Sequence, residues 1–295
     1  MTTSSWASVI DHTTDAGFRA WGGGATEMNG QLAAVGLIQT ADTGQINWTT
    51  VTRPATNTIA GYEIWRFADS TLFLKIAYGT GPTATTPQMW ITVGTGSNGS
   101  GTLTGATSTQ AIFTSGSSPI STATVYTSRI CRIADAMSLI WKEAMTSIGS
   151  IGGMFCVGKT VDGTGAATTT GFGVLRNAMS GSASSSSLQS VRTAATAVTF
   201  VDYASPVIIP GGVSSSTVPG GNSQAYALWL NVPDVQPFNW ANVIINAEAA
   251  RDTTFVVAMT GTTTHTYVST GQIGNQGFNN ANLPAATYGH GVIYE

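Results

Sequence analysis

Charge is what this chain has least of. Asp, Glu, Lys and Arg make up 8% of its 295 residues, against about 25% in an ordinary soluble domain. Thr, Ser, Asn and 35 glycines supply the polarity instead. Long charged side chains lose rotamer entropy when a surface is covered, and they must be desolvated or paired there. Hydroxyls and small side chains are covered at little cost, and charged residues are depleted at the cores of protein interfaces. The composition therefore suits a subunit whose surface is largely covered by other subunits.

Other absences narrow the reading further. No stretch approaches 18 uninterrupted apolar residues, so no membrane-spanning helix is expected despite a mean hydropathy of +0.14. The start, MTTSSWASVIDHTTD, lacks a basic region followed by an apolar run, so no secretory signal is expected. The 11 basic residues are scattered and the net charge is −3, which argues against a nucleic-acid groove. Cysteines number two. Cys131 and Cys156 fit neither a redox pair nor a zinc site, and only His12, His265 and His290 are available as companions. They read as small hydrophobes in strands, with a disulfide between adjacent strands as the other arrangement. Synthesis in a reducing compartment is expected.

What is present is mostly strand. One early segment has helical spacing: Phe18, Trp21, Ala25, Met28, Leu32 and Val35 fall on one face. Thr14 and Asp15 are candidate N-caps and Gly36 a candidate stop. Gly22-Gly23-Gly24 interrupts this helix, at about 1 kcal/mol per glycine relative to alanine. The stripe is either an amphipathic arm that grips a neighbour, with Phe18, Trp21, Met28, Leu32 and Val35 as interface residues, or packing on the chain's own sheet.

From residue 45 the period becomes two. Gln45–Val51, Gly61–Phe67, Thr71–Tyr78 and Gln88–Val93 predict strands bounded by turn residues. Further strands are predicted at Ser128–Ile133, Ser138–Lys142, Met154–Thr160, Gly171–Arg176, Val198–Tyr203, Ala225–Leu230, Val243–Ala247 and Thr253–Met259. A final pair is expected at His265–Ser269 and Gly291–Tyr294. The fold class is all-β, with β-sandwich or jelly-roll-like domains and a short N-terminal amphipathic helix. The polar stretch 105–124 predicts a boundary between an N-terminal domain, 1–110, and a C-terminal sandwich, 111–295. Ser180–Ser187 and 211–223 read as long loops of the latter.

Two nucleotide-binding strings occur, and neither has the right surroundings. Gly94-Thr95-Gly96-Ser97-Asn98-Gly99 matches GxGxxG, but the next residues, SGTLTGATST, do not open the helix that a pyrophosphate needs. A glycine-rich hairpin accounts for it. Gly153 to Thr160 matches GxxxxGK[ST], and Val198–Asp202 resembles a Walker B strand. Met154-Phe155-Cys156-Val157 reads as a strand, however, and Asp162-Gly163 as a hairpin turn to Gly171–Arg176. Asp11, Asp15, Asp42, Asp69 and Asp135 are isolated, most of them beside turn residues where they cap or form Asx-turns. No GxSxG elbow occurs. A paired-carboxylate glycosidase site is invisible to sequence reading and stays open as an alternative. The eight tryptophans (Trp6, Trp21, Trp48, Trp65, Trp90, Trp141, Trp229 and Trp240) read as core or interface, or as a sugar-stacking platform. No catalytic residue, cofactor or metal is assigned.

Several N-terminal strings carry a resemblance. Gly17-Phe18-Arg19-Ala20-Trp21, Gln31 to Leu37, Thr40-Ala41-Asp42-Thr43-Gly44-Gln45-Ile46-Asn47-Trp48, Gly61 to Phe67 and Trp90 to Thr102 are similar to a class of tailed-bacteriophage virion structural proteins. The likeness covers about the first 105 residues well and the hairpin Gly158–Gly173 more loosely. It implies a non-enzymatic virion component that is made in the host bacterial cytoplasm. Its partners would be copies of itself and other virion proteins, with a host surface glycan as a further candidate and neither nucleic acid nor membrane insertion involved. The first 110 residues would attach it to the particle. Long Ser/Gly loops favour a tail position (fibre base, baseplate or tail tip) over a head-decoration or cement protein. A glycan-binding adhesin and a polysaccharide hydrolase are the remaining alternatives.

Overall fold

A computed structural model of the chain describes residues 2–9, 14–23, 28–68, 72–81, 87–107, 109–114, 125–133, 136–143, 154–161, 167–177, 186–192, 207–208, 224–229, 242–246, 254–257, 265–272 and 288–293. Antiparallel strands dominate, and two short helices lie near the N-terminus.

The expected single helix is two helices, α1 (Asp15–Gly23) and α2 (Met28–Ala34). Thr14 caps the first, its hydroxyl accepting the Gly17 N–H at 3.0 Å. Asp15 is already helical, and its carboxylate accepts the Arg53 N–H at 2.8 Å. Gly36 ends α2 as expected. At φ +82° it lets its own N–H reach the Ala33 carbonyl and the Leu37 N–H reach the Leu32 carbonyl, a Schellman termination. Leu32 and Leu37, the apolar pair that accompanies this motif, are both buried.

The glycines that weaken α1 form a socket. Trp48 lies across Gly22 and Gly23: a Cβ on the former would come within 2.0 Å of the indole, and on the latter within 2.2 Å of the Trp48 Cβ. Glycine here admits an aromatic side chain against the helix backbone.

One sheet has the order β2 (Ile38–Gln39), β3 (Ile59–Arg66), β4 (Phe73–Thr80), β5 (Pro87–Gly94) and β8 (Gln110–Thr114). The strands expected at 61–67, 71–78 and 88–93 correspond to β3, β4 and β5. The strand expected at Gln45–Val51 is absent. Asn47 turns the chain there, its side chain accepting the Thr49 N–H and its carbonyl the N–H groups of Thr50 and Val51. The chain between β2 and this turn bulges away from β3. Thr40 donates to Ile64 and Ile46 donates to Tyr62, while the Gln45 amide oxygen accepts the Ile64 N–H in between at 2.8 Å.

A second sheet has the order β1 (Thr2–Val9), β9 (Val125–Ile133), β10 (Ala136–Glu143), β11 (Met154–Val161), β12 (Ala167–Asn177) and β13 (Ser186–Arg192). It contains the expected hairpin of Met154–Thr160 with Gly171–Arg176. Strand β1 comes from before residue 110 and pairs with β9 from beyond it. The third sheet has the order β14 (Val207–Ile208), β15 (Gln224–Trp229), β16 (Asn242–Asn246), β19 (Tyr288–Ile293), β18 (His265–Gln272) and β17 (Thr254–Val257). The expected final pair is β18 with β19. Strands β1, β8 and β13 were not expected, β8 falling within the supposed boundary stretch and β13 overlapping a serine run. The strand expected at 198–203 and the loop at 211–223 lie outside the described residues.

Register settles the cysteines. Ser138 of β10 stands opposite Cys131 on one side and Cys156 on the other. Two interstrand spacings put the cysteine backbones about 9–10 Å apart, too far for a disulfide. The adjacent-strand disulfide is therefore ruled out by an intervening strand, and Cys131 is a buried thiol.

The core gathers one face of the first sheet (Trp65, Phe67, Leu74, Ile76, Tyr78, Ile91) around the apolar side of α1 and α2. Ile130, Met137, Leu139 and Val157 of the second sheet join it. Arg132 ties the two together, donating from Nη1 to the Val35 and Gly36 carbonyls at 3.1 and 2.8 Å and lying over the Phe67 ring. These two carbonyls follow directly on the end of α2, where a cation also meets the negative end of the helix.

The socket makes a test with an unusual sign. Gly→Ala in a helix ordinarily stabilises by about 1 kcal/mol. Gly22→Ala and Gly23→Ala are expected to lose about 1–3 kcal/mol through displacement of Trp48, as measured by urea denaturation with indole fluorescence.

Candidate functional site

The most concentrated chemistry surrounds Glu63 of β3. Alternation puts Glu63 on the core face with Trp65 and Phe67, and it is only 1% exposed. A bare carboxylate there would be very costly. Three donors from the first sheet and the Asn47 turn meet it: Trp48 Nε1 at 2.8 Å on Oε1, and Tyr78 Oη at 2.9 Å and Trp65 Nε1 at 3.2 Å on Oε2. The Asn29 side chain of α2 adds a fourth. Burial pushes the carboxyl above its ordinary range, against the opposing effect of those bonds. Burial, then the charge of Glu63, pushes the Tyr78 phenol well up as well, so Tyr78 remains a neutral donor.

The rings around this group pack edge to face. Tyr78 meets Trp48 at 4.8 Å and Trp21 at 5.7 Å, and Phe18 lies 5.8 Å from Trp48 and 5.9 Å from Trp21. One carboxylate thus ties both helices, the Asn47 turn and two strands into a single polar and aromatic hub. Its oxygens are enclosed and already accept four bonds, so its chemistry is that of a fastener.

On the opposite face of the sheet, two loops are pinned together. Asp42, in the bulge between β2 and β3, accepts the Ser97 hydroxyl and the Gly101 N–H (3.2 Å). Partial burial pushes the Asp42 carboxyl up, but the Ser97 and Gly101 bonds outweigh it and hold the group below its ordinary value. Lys75 donates to the Gly101 carbonyl at 2.7 Å and lies over the Tyr62 ring at 4.0 Å. Tyr62 donates to the Thr43 carbonyl. Burial lowers the Lys75 pKa, and the Asp42 charge opposes that. Gly101 has φ +90°, and a Cβ there would come within 2.0 Å of the Tyr62 oxygen. The short β6 (Gly96–Ser97) and β7 (Leu103–Thr104) close this second loop as a hairpin.

The five expected interface residues, Phe18, Trp21, Met28, Leu32 and Val35, are 0–6% exposed, all within the core of the chain itself. Of the two readings of that stripe, packing on the chain's own sheet is the one this burial describes. The GxGxxG string is a strand end and hairpin with no following helix. The GxxxxGK[ST] string is strand β11, with Lys159 buried and its pKa lowered by that burial. His265 and His290 fall in β18 and β19. His12, Asp11, Asp69, Asp135, Trp240 and the stretch 198–202 lie outside the described residues. Among the described residues, no group of His, Cys, Asp or Glu is placed to hold a metal ion, and no helix is long and apolar enough to cross a membrane.

Sequence reading missed Glu63 and Tyr78, although the alternation in GYEIWRF had put an acid on the same face as Trp65. No protein-family model, curated protein or solved structure matches the chain.

The two carboxylates respond to pH with opposite signs. For Glu63, raised above 4.5 in the fold, the native state binds the proton more tightly than the unfolded one. Its contribution to stability therefore falls as pH rises from 4.5 through the folded value. Tyr78→Phe removes a donor to the charged form and raises that value further. Its destabilisation, about 1.5–3 kcal/mol at neutral pH, is expected to shrink in mild acid when urea denaturation is followed over a pH series. For Asp42, lowered below 3.8, stability is present above 3.8 and lost as pH falls through the folded value. Asp42→Asn should abolish that acid-side loss, measured as hydrogen exchange of the 95–105 amides.

Proposed function

We propose that this chain is a non-enzymatic structural subunit of a tailed-phage virion, working through contacts with copies of itself and with other virion proteins. The observation that carries the reading is where four of its few cations point, all among the described residues. Arg19 donates to the Val51 carbonyl, Lys75 to Gly101, Arg132 to Val35 and Gly36, and Arg66 to Phe67 and Ala68. Asp42 and Glu63 are likewise engaged inside the chain. In these described residues charge fastens loops and helix ends inside the chain, and the remaining polarity is mostly hydroxyl, amide and glycine. A surface of such groups is covered by neighbours at low entropic and desolvation cost.

The resemblance of the first 105 residues to phage virion proteins supports the same conclusion. The strings that carry it are those that build the hub and the loop clamp. We place the chain on the tail side, as a fibre-base, baseplate or tail-tip component, with residues 1–110 attaching it and 111–295 forming a sandwich or jelly-roll-like unit turned outward or sideways, to whose sheet β1 adds an edge strand. Its location is the virion, and no cofactor or metal enters the reading.

Counting copies per purified particle by quantitative mass spectrometry tests this. Tail components on a single axis are expected on the order of 6 to 18 copies. Several hundred copies would place the protein on the capsid as a decoration or cement subunit, and its absence from particles would overturn the reading. A hydrolase predicts turnover of host polysaccharide, and an adhesin predicts glycan binding lost on replacing half-exposed Trp90. Because α1 and α2 supply core residues, deleting residues 1–36 is expected to yield insoluble protein. Attachment is better probed by surface substitutions within 1–110.

A further inference from the structure

We propose that Asn98–Gly99 is a self-modification site, at which the folded loop promotes cyclisation of the asparagine side chain to a succinimide and its hydrolysis to aspartate and isoaspartate. Asn98 and Gly99 are both exposed at the tip of the β6–β7 hairpin. Glycine after asparagine leaves the attacking backbone nitrogen without a neighbouring Cβ, and Gly99, at φ +80°, has open space where one would be.

The surrounding groups supply what the reaction needs. The Asn98 Oδ1 accepts the N–H groups of Ser100 at 2.9 Å and Thr102 at 3.1 Å. Two such donors polarise the amide carbonyl and stabilise the oxyanion that forms on attack. The nucleophile is the Gly99 nitrogen, whose N–H donates to Ser97 Oγ at 3.3 Å. The Ser97 hydroxyl in turn donates to the Asp42 carboxylate. That chain accepts the proton the nitrogen must lose. The loop is held in place by the Asn98 N–H on the Thr102 carbonyl and the Thr43 N–H on the Gly99 carbonyl, both 3.0 Å.

The atoms balance without an oxidant or cofactor. The Gly99 nitrogen bonds to Asn98 Cγ, its proton passes to Ser97, and the Ser97 proton passes to Asp42. The tetrahedral oxyanion collapses, the Cγ–Nδ2 bond breaks, and the amine leaves as ammonia with the returned proton. Water then opens the ring at either carbonyl. The product adds one negative charge to an exposed tip, and the isoaspartyl form also lengthens the backbone by one methylene.

Asn29–Gly30 is the chain's other Asn-Gly pair and serves as an internal control. It lies within α2, part-buried, with the Gly30 N–H donating to the Asn29 Oδ1 itself at 2.7 Å. Among the described residues no separate acceptor is placed to take that proton.

Full-length protein held in mildly alkaline buffer and sampled by peptide mapping tests the proposal. Residue 98 is expected to convert to aspartate and isoaspartate faster than residue 29, and faster than in a free peptide spanning 94–102. Ser97→Ala should slow the folded protein by about tenfold or more and leave the free peptide unchanged. Circular dichroism and unchanged β6–β7 hydrogen exchange would verify the variant's fold. If that exchange rises, Asp42→Asn at matched protection replaces it, with the same slowing expected. A rate at residue 98 no greater than that of the free peptide, or no slowing in either folded variant, overturns the proposal.

Discussion

The N-terminal half of this protein depends on a carboxylate kept out of water. Glu63 is acceptable in a core only because Trp48, Trp65 and Tyr78 direct their N–H and O–H groups at it. Those donors in turn need an acceptor, because a buried indole or phenol without one costs about 1–3 kcal/mol. Acid and donors therefore require one another. Trp48 can reach Glu63 only across the backbone of α1, which makes glycine necessary at positions 22 and 23. A feature that weakens the helix locally is what allows the hub to close. Such enclosed polar clusters favour one arrangement over many, because a half-made version is worse than none.

The outer face of the sheet follows the same logic in milder form. Asp42 and Lys75 both act on Gly101, the one on its N–H and the other on its carbonyl, so the two peptide groups that flank one residue are both held. Gln45 does for the β3 edge what a neighbouring strand would do, by offering a side-chain carbonyl to Ile64. Amide, hydroxyl and carboxylate groups replace ladder bonds wherever the chain leaves the sheet. This explains why the strings ADTGQINW and GTGSNGSG are rich in turn residues although they lie beside strands.

Much of this was legible in the sequence, for reasons that separate local from distant causes. Alternation located β3, β4 and β5 because their partners are sequence neighbours and their core faces are mostly apolar apart from Glu63. The same cue failed at Gln45–Val51, where alternation is present but Asn47 offers its own turn bonds and Trp48 has a distant socket. Strand β13 was hidden because serine and glutamine occupy its alternating positions, and β8 because it lies in a polar stretch. The stop at Gly36 was readable, while the Arg132 that covers the same helix end was not, because nothing near residue 36 announces it. Glu63 was visible as an acid among aromatics, but its role needs Trp48 and Tyr78, each 15 residues away along the chain.

The pairing of β1 with β9 has a consequence for biosynthesis. The first sheet, with its short connections between β3, β4 and β5, can form as soon as those residues leave the ribosome. Strand β1 is made before all of them, yet its partner at Val125–Ile133 emerges only afterwards. Until then residues 2–9 lack their ladder partner, and closing such a long loop is slow. The second sheet therefore rests on a far longer loop closure than the neighbour-to-neighbour pairings of β3, β4 and β5.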